Sequence, residues 1–281
     1  MRVRVELTTC LQTKGILVSG TDSGGNSTTE QIWALILATA RHIATEDAGI
    51  KACRQLWQST IPVGLQGKTL GLVGVGGLGQ KTAKVSDKSP GAPAASLIQR
   101  QVQIAQAFGM KVIGWSPNLT SERAEAAGVG FAKTKAELFQ SSDIVSIHMV
   151  LSERSQRMIT AQDLALMKPT AIFINTSRGP LVDEDALVEM LSKKKIAAAG
   201  LDVFDLEPLP LDHPLRSLDN VTLSPHVGYV SDDNYKVRSL TQKTRPNNKN
   251  IDGIHLQVFW SQTVENISSY LGGSPQRLIE A

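Results

Sequence analysis

The sequence predicts an α/β fold: a doubly wound parallel sheet of the Rossmann type, with helices on both faces. Two observations carry this. From Ile104 onward, short apolar strands alternate repeatedly with helical segments, and such alternation requires parallel strands joined by crossover helices. Before that region, the apolar stretch Gly67–Val73 runs into the glycine loop Gly74-Val75-Gly76-Gly77-Leu78-Gly79.

The elements follow in order. Gly15 to Gly20 reads as a short buried strand. Ser27-Thr28-Thr29-Glu30 has capping-box spacing and opens an apolar helix through Ile43. After the glycine loop, IAQAFG ends a helix and KVIGW forms a strand closing at Trp115. A helix begins near Ser121. A strand spans Asp143 to Met149, a helix Ala161 to Met167, and a strand Ala171 to Asn175. A helix from Asp183 to Lys193 follows, then strands at Ala198 to Val203 and Val221 to Ser224.

Two segments break this order, roughly 85–103 (VSDKSPGAPAASLIQRQVQ) and 237–257, which contains TRPNNKN. Both are poor core material, and disordered inserts are expected there. Joining Lys84 to Ile104, or Lys236 to Val258, restores continuous helical periodicity. Each segment begins with Val followed by Ser86 or Arg238, and each ends in Gln103 or Gln257. Those residues are encodable by splice-donor and splice-acceptor sequences, so both segments are candidate translated introns. Genomic codons at the borders decide the matter.

GVGGLG fits G-x-G-x-x-G, and its place between strand and helix is the context that gives the pattern meaning. Gly74 permits the tight turn, Gly76 lets backbone approach a pyrophosphate, and Gly79 lets helix and strand pack closely. Gly77 and Leu78 complete the loop, whose helix N-terminus offers free N–H groups to phosphates. At the end of the next strand, Ser116 stands where an acid would bind a ribose 2′-hydroxyl and repel a 2′-phosphate. NAD and NADP are both open, with Asn118 and Arg123 as candidate partners for a 2′-phosphate.

Three further stretches resemble the D-isomer-specific 2-hydroxyacid dehydrogenase family. Ile174-Asn175-Thr176-Ser177-Arg178-Gly179-Pro180-Leu181-Val182-Asp183 is similar to its INxxRGxxVD signature. Gly200-Leu201-Asp202-Val203-Phe204 through Glu207-Pro208 is similar to LDVFxxEP, and Leu223-Ser224-Pro225-His226-Val227-Gly228 to TPHxG. The resemblance implies hydride transfer between NAD or NADP and a small 2-keto or 2-hydroxy acid. It implies that His226 is the general acid, that Glu207 orients its ring, and that Arg178 grips the substrate. Imidazole titrates near working pH, and a guanidinium fork suits a carboxylate. It places Ser116, His148, Thr176, Arg178, Asp202 and His226 at the cofactor, with Asp202 on the nicotinamide side.

The resemblance also implies two domains. Residues 1–23 read as a remnant of the substrate domain, 24–230 as the NAD(P)-binding domain, and 231–281 as a return to the substrate domain. The expected architecture therefore has a truncated second domain. A homodimer resting on the apolar helix from Gln31 and on the Trp57 region is a further implication. Two other readings compete: a nucleotide-binding scaffold without turnover, and a nonfunctional product of a mis-spliced gene.

Composition narrows the classes. The 281 residues carry a formal charge of +3 and are 41% hydrophobic, slightly low for a globular chain but outside the disordered range. Lys193-Lys194-Lys195 reads as a solvated helix end rather than a nucleic-acid patch. Cys10 and Cys53 form no CxxC pair, and no metal site is expected. No apolar run reaches membrane-span length, so a cytoplasmic protein is expected.

Overall fold

The computed structural model describes Leu17, Ser19 and residues 27–75, 97–231 and 258–278. Seven parallel strands form one sheet: β1 (Thr69–Val73), β2 (Lys111–Trp115), β3 (Gly130–Phe131), β4 (Ile144–Ile147), β5 (Ile172–Asn175), β6 (Ala198–Leu201) and β7 (Val221–Leu223). Their order is β3-β2-β1-β4-β5-β6-β7. The sheet winds outward from β1 in both directions, so a crevice opens at the reversal between β1 and β4.

Strand residues alternate between two apolar layers. Leu70, Leu72, Ile144, Ile172 and Ile174 face α1 (Ser27–Ala40) and α3 (Leu97–Ala107). Val73, Val145, Ile147 and Phe173 face the opposite layer. That layer holds Leu138 and Phe139 of α5 (Lys135–Ser141), Leu164 of α6 (Ala161–Ala165), and Leu187 and Leu191 of α7 (Glu184–Ser192). β4 and β5 are buried throughout, which is why they read as continuous apolar runs.

The helix expected to run through Ile43 stops at Ala40. His42 adopts a left-handed backbone, φ +53°, and turns the chain into α2 (Ile43–Lys51). None of the residues of α2 is buried, so no apolar period could announce it. Two short elements also escaped the sequence reading, β3 with its two residues and α5. Just before them, α4 (Ser121–Ala126) begins where expected and is capped by Thr120.

The larger difference lies at the first interruption. Residues 97–103 belong to α3 and are helical, not disordered. Ile98, Val102 and Ala105 recur at helical spacing and are buried. The same turn also buries Gln101, whose side-chain oxygen and nitrogen both lack a hydrogen-bond partner among the described residues. Ile98 and Val102 contribute roughly 1.5–3 kcal/mol each on burial. That outweighs a cost of about 1–3 kcal/mol for an unmet polar group, so the turn holds despite the amide. Residues 85–96 and 237–257 lie outside the described residues.

The contact pattern divides the chain into two units, Thr28–Gly228 and Met1–Ser27 with Tyr229–Ala281. In the second, Ser19 bridges antiparallel to Leu278, and Arg277 bonds Asn266 and Glu265 of α8 (Val258–Leu271). Of the buried strand expected at Gly15 to Gly20, Leu17 and Ser19 are exposed and Ser19 makes only this isolated bridge; the rest is outside the described residues. Lys193, Lys194 and Lys195 lie within ion-pair distance of Glu189 and Asp219 on the surface. No helix among the described residues is long and apolar enough to cross a membrane.

Candidate active site

The sheet register brings the candidate residues to one edge. Trp115, Val73, Ile147, Asn175, Leu201 and Leu223 form a single row of paired positions across six strands. The residues that follow them are Ser116, Gly74, His148, Thr176, Asp202 and Ser224. Each of these six strands thus delivers its next residue to the C-terminal edge, where an open parallel sheet places its ligand crevice.

Glu207 and His226 form the central pair. Glu207 Oε2 lies 2.6 Å from His226 Nδ1, while its Oε1 accepts the Phe204 backbone N–H at 2.9 Å. The carboxylate is thereby held from both sides. It selects the tautomer with hydrogen on Nδ1, which makes Nε2 the ring atom that exchanges protons with a ligand. Both side chains are about one-third exposed, His226 at 33% and Glu207 at 34%, so the pair can meet a substrate from solvent.

His226 has φ +55°, a conformation costing an L-residue roughly 1–2 kcal/mol. Asp202 supplies the counterweight. Its buried carboxylate accepts from Ser224 Oγ at 2.5 Å, Val227 N at 3.1 Å, Gly228 N at 2.9 Å and Gln31 Nε2 at 3.2 Å. The loop is pinned on both sides of the histidine. Asp202, expected to face the nicotinamide, has both carboxylate oxygens engaged by protein donors and braces the His226 loop.

Arg178 sits on an equally braced turn after β5. Asn175 Oδ1 accepts Ser177 N–H at 3.0 Å, and Asn175 Nδ2 donates to Arg178 O at 3.0 Å. Ser177 Oγ donates to Ile147 O at 2.6 Å. The Arg178 side chain is exposed, and its Nη1 donates to the Ser177 carbonyl. It is available to a carboxylate.

At the crevice, Gly74 has φ +111°, and a Cβ there would collide with the His148 carbonyl. The same residue donates its N–H to Trp115 O at 2.8 Å, locking the turn. Among the described residues, His148 Nε2 and Ser116 Oγ are buried without a hydrogen-bond partner. Burial drives the His148 pKa down to about 4, so its ring is neutral at neutral pH. Two orphaned polar atoms on the crevice row fit a polyhydroxylated nucleotide ligand. Gly76, Gly77, Leu78 and Gly79 lie outside the described residues. Thr176 is half-buried on the row.

A cavity of about 490 Å³ adjoins the His226–Glu207 pair, walled by Phe204, Pro208, Leu209, Leu223 and Pro225. Arg216 closes it, its guanidinium donating to the carbonyls of Leu209 and Pro210. Gln31 was not singled out from the sequence, because nothing in helical spacing marks a residue that bonds a partner 171 positions away.

Fold and site together define a dinucleotide-binding domain of dehydrogenase type. The family model for the D-isomer specific 2-hydroxyacid dehydrogenase NAD-binding domain matches residues 96–228. The chain is 38% identical over 226 residues to the D-3-phosphoglycerate dehydrogenase of Methanocaldococcus jannaschii, covering 79% of this chain and 39% of that one. It is 37% identical over 225 residues to the glyoxylate reductase of Aeropyrum pernix, covering 77% and 61%. Among solved structures, phosphoglycerate oxidoreductase from Vibrio cholerae superposes with a TM-score of 0.74 at 28% identity, covering 94% of this chain and 72% of that one. An acyclic imino acid reductase in complex with NADPH and D-Arg superposes at 0.65 and 28%, covering 96% and 73%. The chain belongs to the D-isomer specific 2-hydroxyacid dehydrogenase family, and the matched part is its NAD-binding domain. It spans 39% and 61% of the length of those two curated relatives.

Proposed function

We propose that this chain reduces a small 2-keto acid to the D-2-hydroxy acid with NADH or NADPH. The observation that carries this reading is the contact between His226 Nδ1 and Glu207 Oε2 at 2.6 Å, with Arg178 exposed on a braced turn that follows β5. The nicotinamide, when bound, supplies the hydride to the keto carbon. Arg178 grips the substrate carboxylate with its planar fork. His226 delivers a proton from Nε2 to the oxygen as negative charge develops there, and Glu207 stabilises the resulting ring state and keeps its orientation. Relatives called glyoxylate reductase and hydroxypyruvate reductase make glyoxylate and hydroxypyruvate the substrates to test.

Ser116 and Arg123 favour acceptance of NADPH. No acid at the end of β2 repels a 2′-phosphate, and Arg123 Nη1, bonded to Asn118 O at 3.2 Å, holds a cation beside that turn. A homodimer is part of the same reading. Leu56, Trp57 and Ile61 are 62%, 76% and 90% exposed next to the unburied α2, which is apolar area that a second copy would cover.

Residues 85–103 are read as an insertion. Without those 19 residues, Lys84 precedes Ile104 and Thr82 takes the place of Gln101. A hydroxyl that can bond back to its own helix then replaces an amide with two unmet groups. Gly79 takes the place of Ile98, so the glycine loop leads directly into the helix.

The test is oxidation of NADH and NADPH by glyoxylate and hydroxypyruvate, with the whole chain and with a chain lacking 85–103. Turnover abolished by His226→Ala supports the reading. A folded chain that binds either cofactor yet turns over neither acid refutes it.

A further inference from the structure

We propose that Gln31 is a positioning residue for His226, acting through Asp202 and Ser224. The proposal rests on the catalytic reading of the His226–Glu207 pair. Gln31 lies on α1, whose neighbouring Ile32, Leu35 and Ile36 are buried, so its backbone is anchored in the core. Its Nε2 donates to Asp202 Oδ1 at 3.2 Å and to Ser224 Oγ at 2.8 Å. The two hydrogens of one amide nitrogen therefore hold two groups that hold the histidine loop. The opposite amide orientation would set its oxygen against a carboxylate, so the charge of Asp202 dictates which way the amide points.

The arrangement has a clear mechanical consequence. Asp202 Oδ1 also accepts from Ser224 Oγ and Val227 N, and Oδ2 from Gly228 N. These contacts bracket a residue whose left-handed backbone is otherwise disfavoured. A carboxylate can rotate about its own Cβ–Cγ bond. The Gln31 amide stops that rotation by engaging Oδ1 and Ser224 together. Gly228 leaves room for it, since a Cβ there would come within 3.1 Å of Asp202 Oδ2 and 3.8 Å of Gln31 Cγ. Gln31 therefore ties a rigid helix to the proton-donating loop across 171 and 193 positions of sequence.

The experiment compares the parent chain with Gln31→Met, which keeps length and removes both donors, and Gln31→Glu, which sets a carboxylate against Asp202. The first readout is the low-field Nδ1–H proton of His226, assigned by its loss in His226→Asn. We expect it to exchange faster with water in Gln31→Met and faster still in Gln31→Glu. The second readout is kinetic: kcat should fall roughly 10- to 100-fold while NADPH affinity holds. A residue that only fills space would leave both near-isosteric variants at the parent level, and an unchanged resonance in either folded variant overturns the proposal. A parent chain that shows the resonance but no turnover refutes the catalytic reading and leaves the exchange comparison decisive for Gln31. A parent chain without the resonance overturns both.

Discussion

Gly179 carries no side chain where the backbone of Phe204 crosses it: a Cβ built on Gly179 overlaps the Phe204 carbonyl and the Asp205 nitrogen. This contact joins the turn that presents Arg178 to the loop that presents Glu207. Gly179→Ala must push the two apart, at a cost of about 1–3 kcal/mol, as for other overpacked sites. Thermal unfolding should show the loss, and reductase activity should fall further than stability alone explains, because both site residues move. Parental values for both would mean the two loops are independent.

Glu207→Gln keeps an acceptor for the Phe204 N–H and removes the charge facing His226. The expected loss in kcat is on the order of 10²- to 10⁴-fold, the range of a disabled acid–base group. Cofactor binding, measured by NADPH fluorescence, should persist. Loss of both together would place Glu207 in folding rather than in proton transfer.

His148 gives the fold a pH dependence. Burial holds its folded-state pKa at about 4 against a usual 6.5. Between those values the unfolded chain takes up a proton that the folded chain refuses. The contribution is therefore intact above about 6.5 and is lost as pH falls towards 4. Urea midpoints measured across this window should decline for the parent chain and decline less for His148→Asn. Parallel curves would assign the slope to other groups.

Gln101→Leu tests the buried amide of α3. With neither of its polar atoms bonded, replacement by an apolar side chain of similar size should stabilise the chain by about 1–3 kcal/mol. That corresponds to a rise of roughly 2–4 °C in Tm per kcal/mol for a domain of this size. A lower Tm would show that the amide has a partner in solution.

Much of the site was written in local pattern. Apolar runs such as AIFIN mark strands buried on both faces, and parallel pairing then aligns their ends. Ser116, Gly74, His148, Thr176 and Asp202 consequently reach one edge, though they are spread over 128 positions from Gly74 to Asp202. Arg178, Glu207 and His226 were expected from the resemblance of their motifs to those of the family, and each follows a strand of the sheet. Periodicity records whether a side chain is buried; it does not record against what. The unburied α2 left no period to read, and Ile98 and Val102 were hidden in a segment that begins with prolines and small residues. Only the tertiary structure decided that Gln31 meets Asp202, that Gly179 lies under Phe204, and that Asp202 engages the loop around His226. Those contacts join residues distant in sequence, and their energies come from charge, donor geometry and excluded volume once the sheet has formed.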